Sequence, residues 1–249
     1  MMGLALGDLG RFVEAQASLE QSISLYNPDI HRPDKPGGSF YGQDPKAACL
    51  SYLGFMLWCR GYPDQAQARS QEPVAWAQEI EHPFSLVMAL DFGTTIQRMC
   101  RDFSAVQEYA EAVIALSTVQ GFPFWTRLGT LQRGWALAQQ GQAEEGVEQV
   151  QSSVAALRHS GAGGEAWFRF SMLAEAYQQA GRIEKGLETL AEGIAIQVKK
   201  GETCGATELY RLKGEFLLKQ SQTQTPESTV STPQPPAPNQ RLKRVFRRR

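Results

Sequence analysis

Three histidines, four cysteines and one glycine-rich run are the residues through which this 249-residue chain could do chemistry, and their spacing argues against it. His31, His82 and His159 lie far apart, with no HExxH pair and no cysteine at zinc-ligand spacing. Cys49, Cys59, Cys100 and Cys204 are separated by 10, 41 and 104 residues and form no CxxC pair, so they read as reduced core thiols. Gly161-Ala162-Gly163-Gly164 imitates a phosphate loop, yet it follows a helical pattern rather than a strand, and no lysine comes after it. It reads as a connection between helices. No serine occupies a GxSxG elbow, and no cysteine has an obvious base nearby in the sequence. Catalysis, a metal and a cofactor are therefore not expected, and no catalytic residue is assigned.

Two other residue classes could bind rather than react. Phe122, Phe124 and Trp125 cluster around Pro123, and Tyr41 stands in a loop. Proline pre-sets the first turn of a helix, and an aromatic just outside it staples the chain to that helix, which explains the cluster structurally. The same four aromatics could instead form a ligand-gripping rim, and they are the candidate partner-binding residues. The second class is basic. From residue 221 the chain carries Arg241, Lys243, Arg244, Arg247, Arg248 and Arg249 against one acid, Glu227, a net charge of +5. The chain as a whole is near neutral, with 25 Lys and Arg against 26 Asp and Glu, so residues 1–220 are left at −6. This basic terminus is a candidate electrostatic contact to nucleic acid or an anionic surface, a reading that the scarcity of interleaved aromatics disfavours.

These residues must be positioned by helices. At 42% apolar and 20% charged, the chain can bury a core, and its longest apolar stretch, Leu50 to Trp58, is about half of what a bilayer-spanning helix needs. A punctuation mark recurs as Leu9-Gly10-Arg11-Phe12, Arg60-Gly61-Tyr62-Pro63, Arg101-Asp102-Phe103-Ser104, Gln140-Gly141-Gln142-Ala143 and Ala180-Gly181-Arg182-Ile183. Taken at Gly10, Gly61, Asp102, Gly141 and Gly181, the marks are 51, 41, 39 and 40 residues apart. Each lies between two stretches of helical apolar spacing and reads as the turn of a helix hairpin.

The flanking columns repeat as well. Seven residues before the turn stand the small residues Gly3, Gly54, Thr95, Gly134 and Ala174; four before it stand Leu6, Leu57, Arg98, Leu137 and Tyr177. Five after it come Ala15, Ala66, Gln107, Gly146 and Gly186. Small positions let antiparallel helices approach closely. The third unit breaks the pattern at Arg98 and Gln107 and reads as degenerate or shifted in register. The long first interval locates an extended surface loop at 27–38, rich in proline and glycine. Gly214 and Leu217 begin a sixth unit, over 202–220, whose turn should fall near Ser221; there the chain changes to a Ser/Thr/Pro/Gln tract that cannot bury a face.

A helix hairpin with these small positions and a turn glycine resembles the tetratricopeptide repeat, whose period is 34, with the excess here expected in the loops between repeats. A second resemblance rests on Tyr41-Gly42-Gln43-Asp44-Pro45, Gly61-Tyr62-Pro63-Asp64-Gln65-Ala66, His82-Pro83-Phe84-Ser85, Gly121-Phe122-Pro123-Phe124-Trp125, Gly134-Trp135-Ala136-Leu137-Ala138, and Ala206 to Glu215. These strings are similar to the C-terminal tetratricopeptide region of large bacterial signalling proteins that carry a class III adenylate/guanylate cyclase domain and an AAA-type ATPase. The likeness departs from that family after Gln220, and no phosphate loop or cyclase metal site occurs in this chain.

The expectation is an all-α, tetratricopeptide-like α-solenoid of about five helix hairpins in a right-handed superhelix over residues 1–220, with a disordered tail over 221–249. The resemblance implies a non-catalytic interaction or sensor module in the cytoplasm, partnered by a protein, a peptide or the covering domains of a longer signalling protein. Incomplete units at both ends imply exposed apolar edges and self-association.

Overall fold

The computed structural model describes residues 2–35, 42–159, 166–200 and 205–224. Among them every regular element is a helix: α1 (Met2–Asp8), α2 (Phe12–Ser24), α3 (Pro28–His31), α4 (Pro45–Cys59), α5 (Pro63–Arg69), α6 (Glu72–Glu79), α7 (Pro83–Met99), α8 (Phe103–Gln120), α9 (Pro123–Gln139), α10 (Ala143–His159), α11 (Ala166–Gln179), α12 (Ile183–Lys200) and α13 (Ala206–Gln224). The long helices pack in chain order, α2 lies against α4 across the short α3, and the first helix of one hairpin also touches the first helix of the next, as α4 does α7 and α9 does α11. The core is therefore a continuous seam. One stretch of it runs from Val106 to Phe216, and another, around Leu19, Leu53, Met56 and Ile96, serves the first hairpins.

Five hairpin turns are built alike. One residue takes the left-handed conformation, and the next donates its N–H to the carbonyl five residues back. These bonds run from Arg11 to Leu6, Tyr62 to Leu57, Asp102 to Gln97, Gln142 to Leu137 and Arg182 to Tyr177, at 2.9, 3.0, 3.0, 2.9 and 2.8 Å. They satisfy carbonyls that the helix end would otherwise orphan. Four of the left-handed residues are Gly10, Gly61, Gly141 and Gly181; the third is Arg101, at φ 61°. The turn thus sits one residue before Asp102, whose carboxylate instead caps α8 by accepting from Ala105 N–H at 3.0 Å. Moving the register by one makes the intervals 51, 40, 40 and 40. It also places buried residues in the columns, with Thr94 at the small position and Val106 rather than Gln107 five after the turn, although the position four before it becomes Gln97, polar where the other units carry Leu or Tyr. The third unit is shifted by one, lacks the glycine that would have marked it, and keeps a polar residue at Gln97.

Three further differences from the sequence reading have physical causes. The residues beyond a 34-residue period lie in the helices, which run to 17 or 18 residues in α7 to α10, while the α8–α9 connection is only Gly121-Phe122. The 27–38 segment contains α3, because Asn27 Oδ1 accepts from Asp29 N–H at 2.9 Å and Pro28 opens the turn. The second hairpin's return helix is split into α5 and α6, with the buried Pro73 in the first turn of α6, where its missing N–H does no harm. At the far end α13 continues through Ser221, where a turn was expected, to Gln224. The tail from 225 onward lies outside the described residues.

Helix spacing within a hairpin is set by glycine. A Cβ on Gly146 would stand 2.5 Å from Gly134 O and 2.7 Å from the Ala138 Cβ, whereas one on Gly54 meets nothing nearer than Ala66 O at 3.8 Å. Gly54 and Gly134 hold the same position of their repeats, yet only the second is in backbone contact. Gly146→Ala is expected to lower the urea-unfolding free energy by about 2 kcal/mol through overpacking, while Gly54→Ala raises it by a few tenths to about 1 kcal/mol through helix propensity.

Candidate functional site

Because successive helices alternate direction, the N-termini of α4, α7 and α9 share the edge opposite the five hairpin turns. Each opens on a proline, at Pro45, Pro83 and Pro123. At the α8–α9 connection Gly121 takes φ 70° and Phe122 N–H reaches back to Ser117 O at 2.8 Å, which fixes where Phe122 stands. Its ring meets Phe84 edge-on at 5.4 Å; Phe84 meets Trp125 at 5.9 Å, and Trp125 meets Phe124 at 5.4 Å, with interplanar angles of 80–81°. The structure therefore brings Phe122, Phe124 and Trp125 together and adds Phe84. Phe84 stands forty residues before Phe124 in the same Pro-Phe pair, a repeat signal visible in the sequence. Phe124 is 37% exposed and Val119 beside the connection 81%, while the other rings are half-buried. Edge-to-face packing fixes the rings before anything binds, so a ligand would order few side chains on this surface. Tyr41 lies outside the described residues, as do Arg241, Lys243, Arg244, Arg247, Arg248 and Arg249.

A second cluster on this edge is polar and saturated. Asp44, wholly buried at the N-cap of α4, accepts from Tyr26 Oη at 2.6 Å, Trp76 Nε1 at 2.8 Å and Ala47 N–H at 2.8 Å. Lys46 Nζ lies 3.6 Å over the Trp76 ring. Burial, and then the bond to Asp44, pushes the Tyr26 phenol well above its usual range. Asp44 N–H donates to Ser85 Oγ at 2.8 Å, and that hydroxyl, 2.9 Å from His82 Nδ1, donates onward when the ring is neutral. Burial holds His82 below its ordinary 6.5. His82 also caps α7, and His31 accepts from Asn27 N–H at 2.9 Å, so both histidines serve helix ends. The cluster clamps the inserted segment to α4 and α6. Sequence reading missed it because Tyr26, Asp44 and Trp76 meet only in space.

A third group crosses three hairpins. Glu175 on α11, 6% exposed in its side chain, takes Arg101 Nη1 at 2.7 Å and Trp135 Nε1 at 2.9 Å, with Arg98 Nη1 at 4.0 Å. The Arg98 guanidinium lies 4.4 Å from the Phe168 ring centroid, a cation held by charge on one side and a π face on the other. Both carboxylate oxygens are engaged, so this group holds the array together and offers no open acid or base. The Cys49 and Cys100 thiols are pushed up by burial, away from thiolate chemistry. Among the described residues no group of three or more His, Cys, Asp or Glu side chains is arranged to hold a metal, and no helix is long and apolar enough to cross a membrane.

With this geometry in hand, comparisons place the fold. A tetratricopeptide repeat family model matches residues 1–21, 47–72 and 170–192, which fall on the first, second and fifth hairpins. An uncharacterised protein of Rhizobium meliloti (strain 1021) is 25% identical over 206 residues, 83% of this chain; the chain spans only 20% of that relative. Aspartyl phosphate phosphatase F of Bacillus subtilis is similar in fold, with a TM-score of 0.58 at 13% identity over 89% of this chain and 55% of that one. A thermophilic tetratricopeptide-repeat protein of Thermus thermophilus has a TM-score of 0.51 at 17% identity, covering 87% of this chain and 96% of its own. The chain carries tetratricopeptide repeats and folds as an all-α, tetratricopeptide-like solenoid of helix hairpins.

Glu175→Gln keeps the shape and removes the charge, leaving Arg98 buried beside a neutral amide. A loss of about 3 kcal/mol in urea-unfolding free energy is expected. For His82, a folded value below 6.5 means that the unfolded chain binds the proton more tightly. Its stabilising contribution is therefore complete above 6.5 and declines as pH falls through the lowered folded value. His82→Asn, which keeps a capping acceptor, should flatten the fall in stability between about pH 7 and pH 5.5, read as a difference between the two urea midpoints.

Proposed function

We propose that this chain is a non-catalytic, cytoplasmic protein-binding module that takes a partner peptide or helix against the rim of Phe84, Phe122, Phe124 and Trp125. The observation that carries this reading is the convergence of four rings from two consecutive repeats on rigid, proline-opened helix ends, with Phe124 and Val119 left open to solvent. Aromatic side chains held this way deliver large contact area at little entropic cost and dominate interface energetics elsewhere. The fold supports the same reading, since tetratricopeptide arrays are protein–protein interaction scaffolds. In the fuller reading the array is the regulatory region of a multidomain signalling ATPase or cyclase. Its support is the likeness of the quoted strings to that family and the roughly fourfold greater length of the Rhizobium relative.

A two-hybrid selection with the whole chain as bait supplies a binding segment, whose affinity is then measured by calorimetry. The Phe124→Ala/Trp125→Ala double variant is expected to weaken binding at least tenfold, about 1.4 kcal/mol, without lowering the melting temperature by more than a few degrees. Unchanged affinity would place the binding surface elsewhere, and nucleotide hydrolysis or cyclisation by the purified chain would overturn the non-catalytic assignment.

A further inference from the structure

The last described helix repeats the first-helix pattern without the partner that pattern elsewhere requires. Gly214 stands forty residues after Ala174 and eighty after Gly134; Leu217 stands in the same relation to Tyr177 and Leu137. In α9 this position is covered by the antiparallel α10. A Cβ on Gly134 would meet Gly146 O at 3.0 Å and, three and four residues further along α10, Gln149 Cβ at 2.7 Å and Val150 Cγ2 at 3.1 Å. Leu137 and Tyr177 are each 6% exposed. On α13 the inner face is sealed, with Leu209, Leu212 and Phe216 at 0%, 1% and 0%. Among the described residues its other face is uncovered. A Cβ on Gly214 would meet nothing within 4 Å, and Tyr210, Leu217 and Leu218 are 54%, 47% and 64% exposed.

The contacts at Gly134 define what fits there: an antiparallel helix with a small residue at the crossing and larger side chains three and four positions beyond it. α13 carries that pattern itself, as Gly214, Leu217 and Leu218. We propose that the occupant is α13 of a second copy, the two helices packing antiparallel about a two-fold axis so that Gly214 of each receives Leu217 and Leu218 of the other. The contact is isologous, closes at two copies and leaves no free face to propagate. Charge permits it: Arg211, at the margin of the face, is neutralised within its own helix by Glu208 at 2.6 Å and Glu215 at 2.5 Å, so the copies meet without bare guanidinium groups opposed. The exposed apolar residues near the other end, Leu9, Val13 and Leu25, lack this glycine-centred pattern. The inference is independent of the aromatic rim, which lies on α7 and α9.

Sedimentation equilibrium of the full chain, across concentrations from roughly micromolar to sub-millimolar, tests it. A monomer–dimer equilibrium is expected, with Leu218→Glu weakening it at least tenfold and Gly214→Gln doing the same by blocking close approach. Val13→Glu should leave the dissociation constant within about twofold. Far-UV circular dichroism confirms that each variant keeps its helices; both altered positions face solvent in the single copy. A chain monomeric throughout, for instance because a following helix covers α13 from the same molecule, overturns the proposal. So does a dimer indifferent to both α13 variants, or one dissolved by Val13→Glu.

Discussion

Everything in this array hangs on how closely two antiparallel helices approach at the small residues facing one another across each hairpin. At Gly134 and Gly146 the backbones touch, and no side chain larger than a hydrogen fits between them. That contact brings α9 and α10 near enough for Ala138, Val147 and Val150 to close a seam, and it sets how the next hairpin is offered its own surface. The left-handed turns serve the same end by returning the chain on itself within three residues. In the second hairpin, where Gly54 has room to spare, the return helix is also broken at Ser70-Gln71, just before Pro73; a looser crossing tolerates an interrupted partner.

Position along the edge follows from this alternation. The five hairpin turns occupy one side and the starts of α4, α7 and α9 the other, so residues about forty apart become neighbours without any long-range design in the sequence. That is how Phe84 reaches Phe122 and Trp125, and how His82, through Ser85, meets the backbone of Asp44. The two clusters on this edge differ in what they leave available. Around Asp44 the hydrogen-bonding capacity is consumed internally, and the side chains serve as a clasp. Around Phe124 the rings satisfy one another only edge to face, and their remaining surface stays open to a partner.

The helix hairpins were legible in the sequence because a left-handed turn selects glycine and a close crossing selects small residues, both local demands. The third turn was misplaced by one because Arg101 takes the left-handed conformation without being glycine, and no local pattern announces that. The period was read correctly near 40, but its excess was assigned to loops; glycine and proline draw the eye to connections, whereas the added turns of α7 to α10 are built from ordinary helix formers. Of the rim, the Pro123 cluster was visible as a sequence-local group, and Phe84 was hidden only because it belongs to the preceding repeat. Tyr26, Asp44 and Trp76 left no sequence signal at all, their association being a property of the folded insertion.

The Arg101–Glu175 pair has a consequence for how the molecule comes apart. A solenoid held only by contacts between neighbouring hairpins can shed units one at a time from an end, each loss costing a single interface. Here a residue in an unfavourable backbone state at the third turn leans on a carboxylate of the fifth hairpin, with Trp135 of the fourth between them. Losing the fifth hairpin would strip that carboxylate from Arg101 and from the Trp135 indole N–H. Shedding the fifth hairpin therefore costs more than its interface with the fourth, and the three hairpins are coupled beyond nearest neighbours.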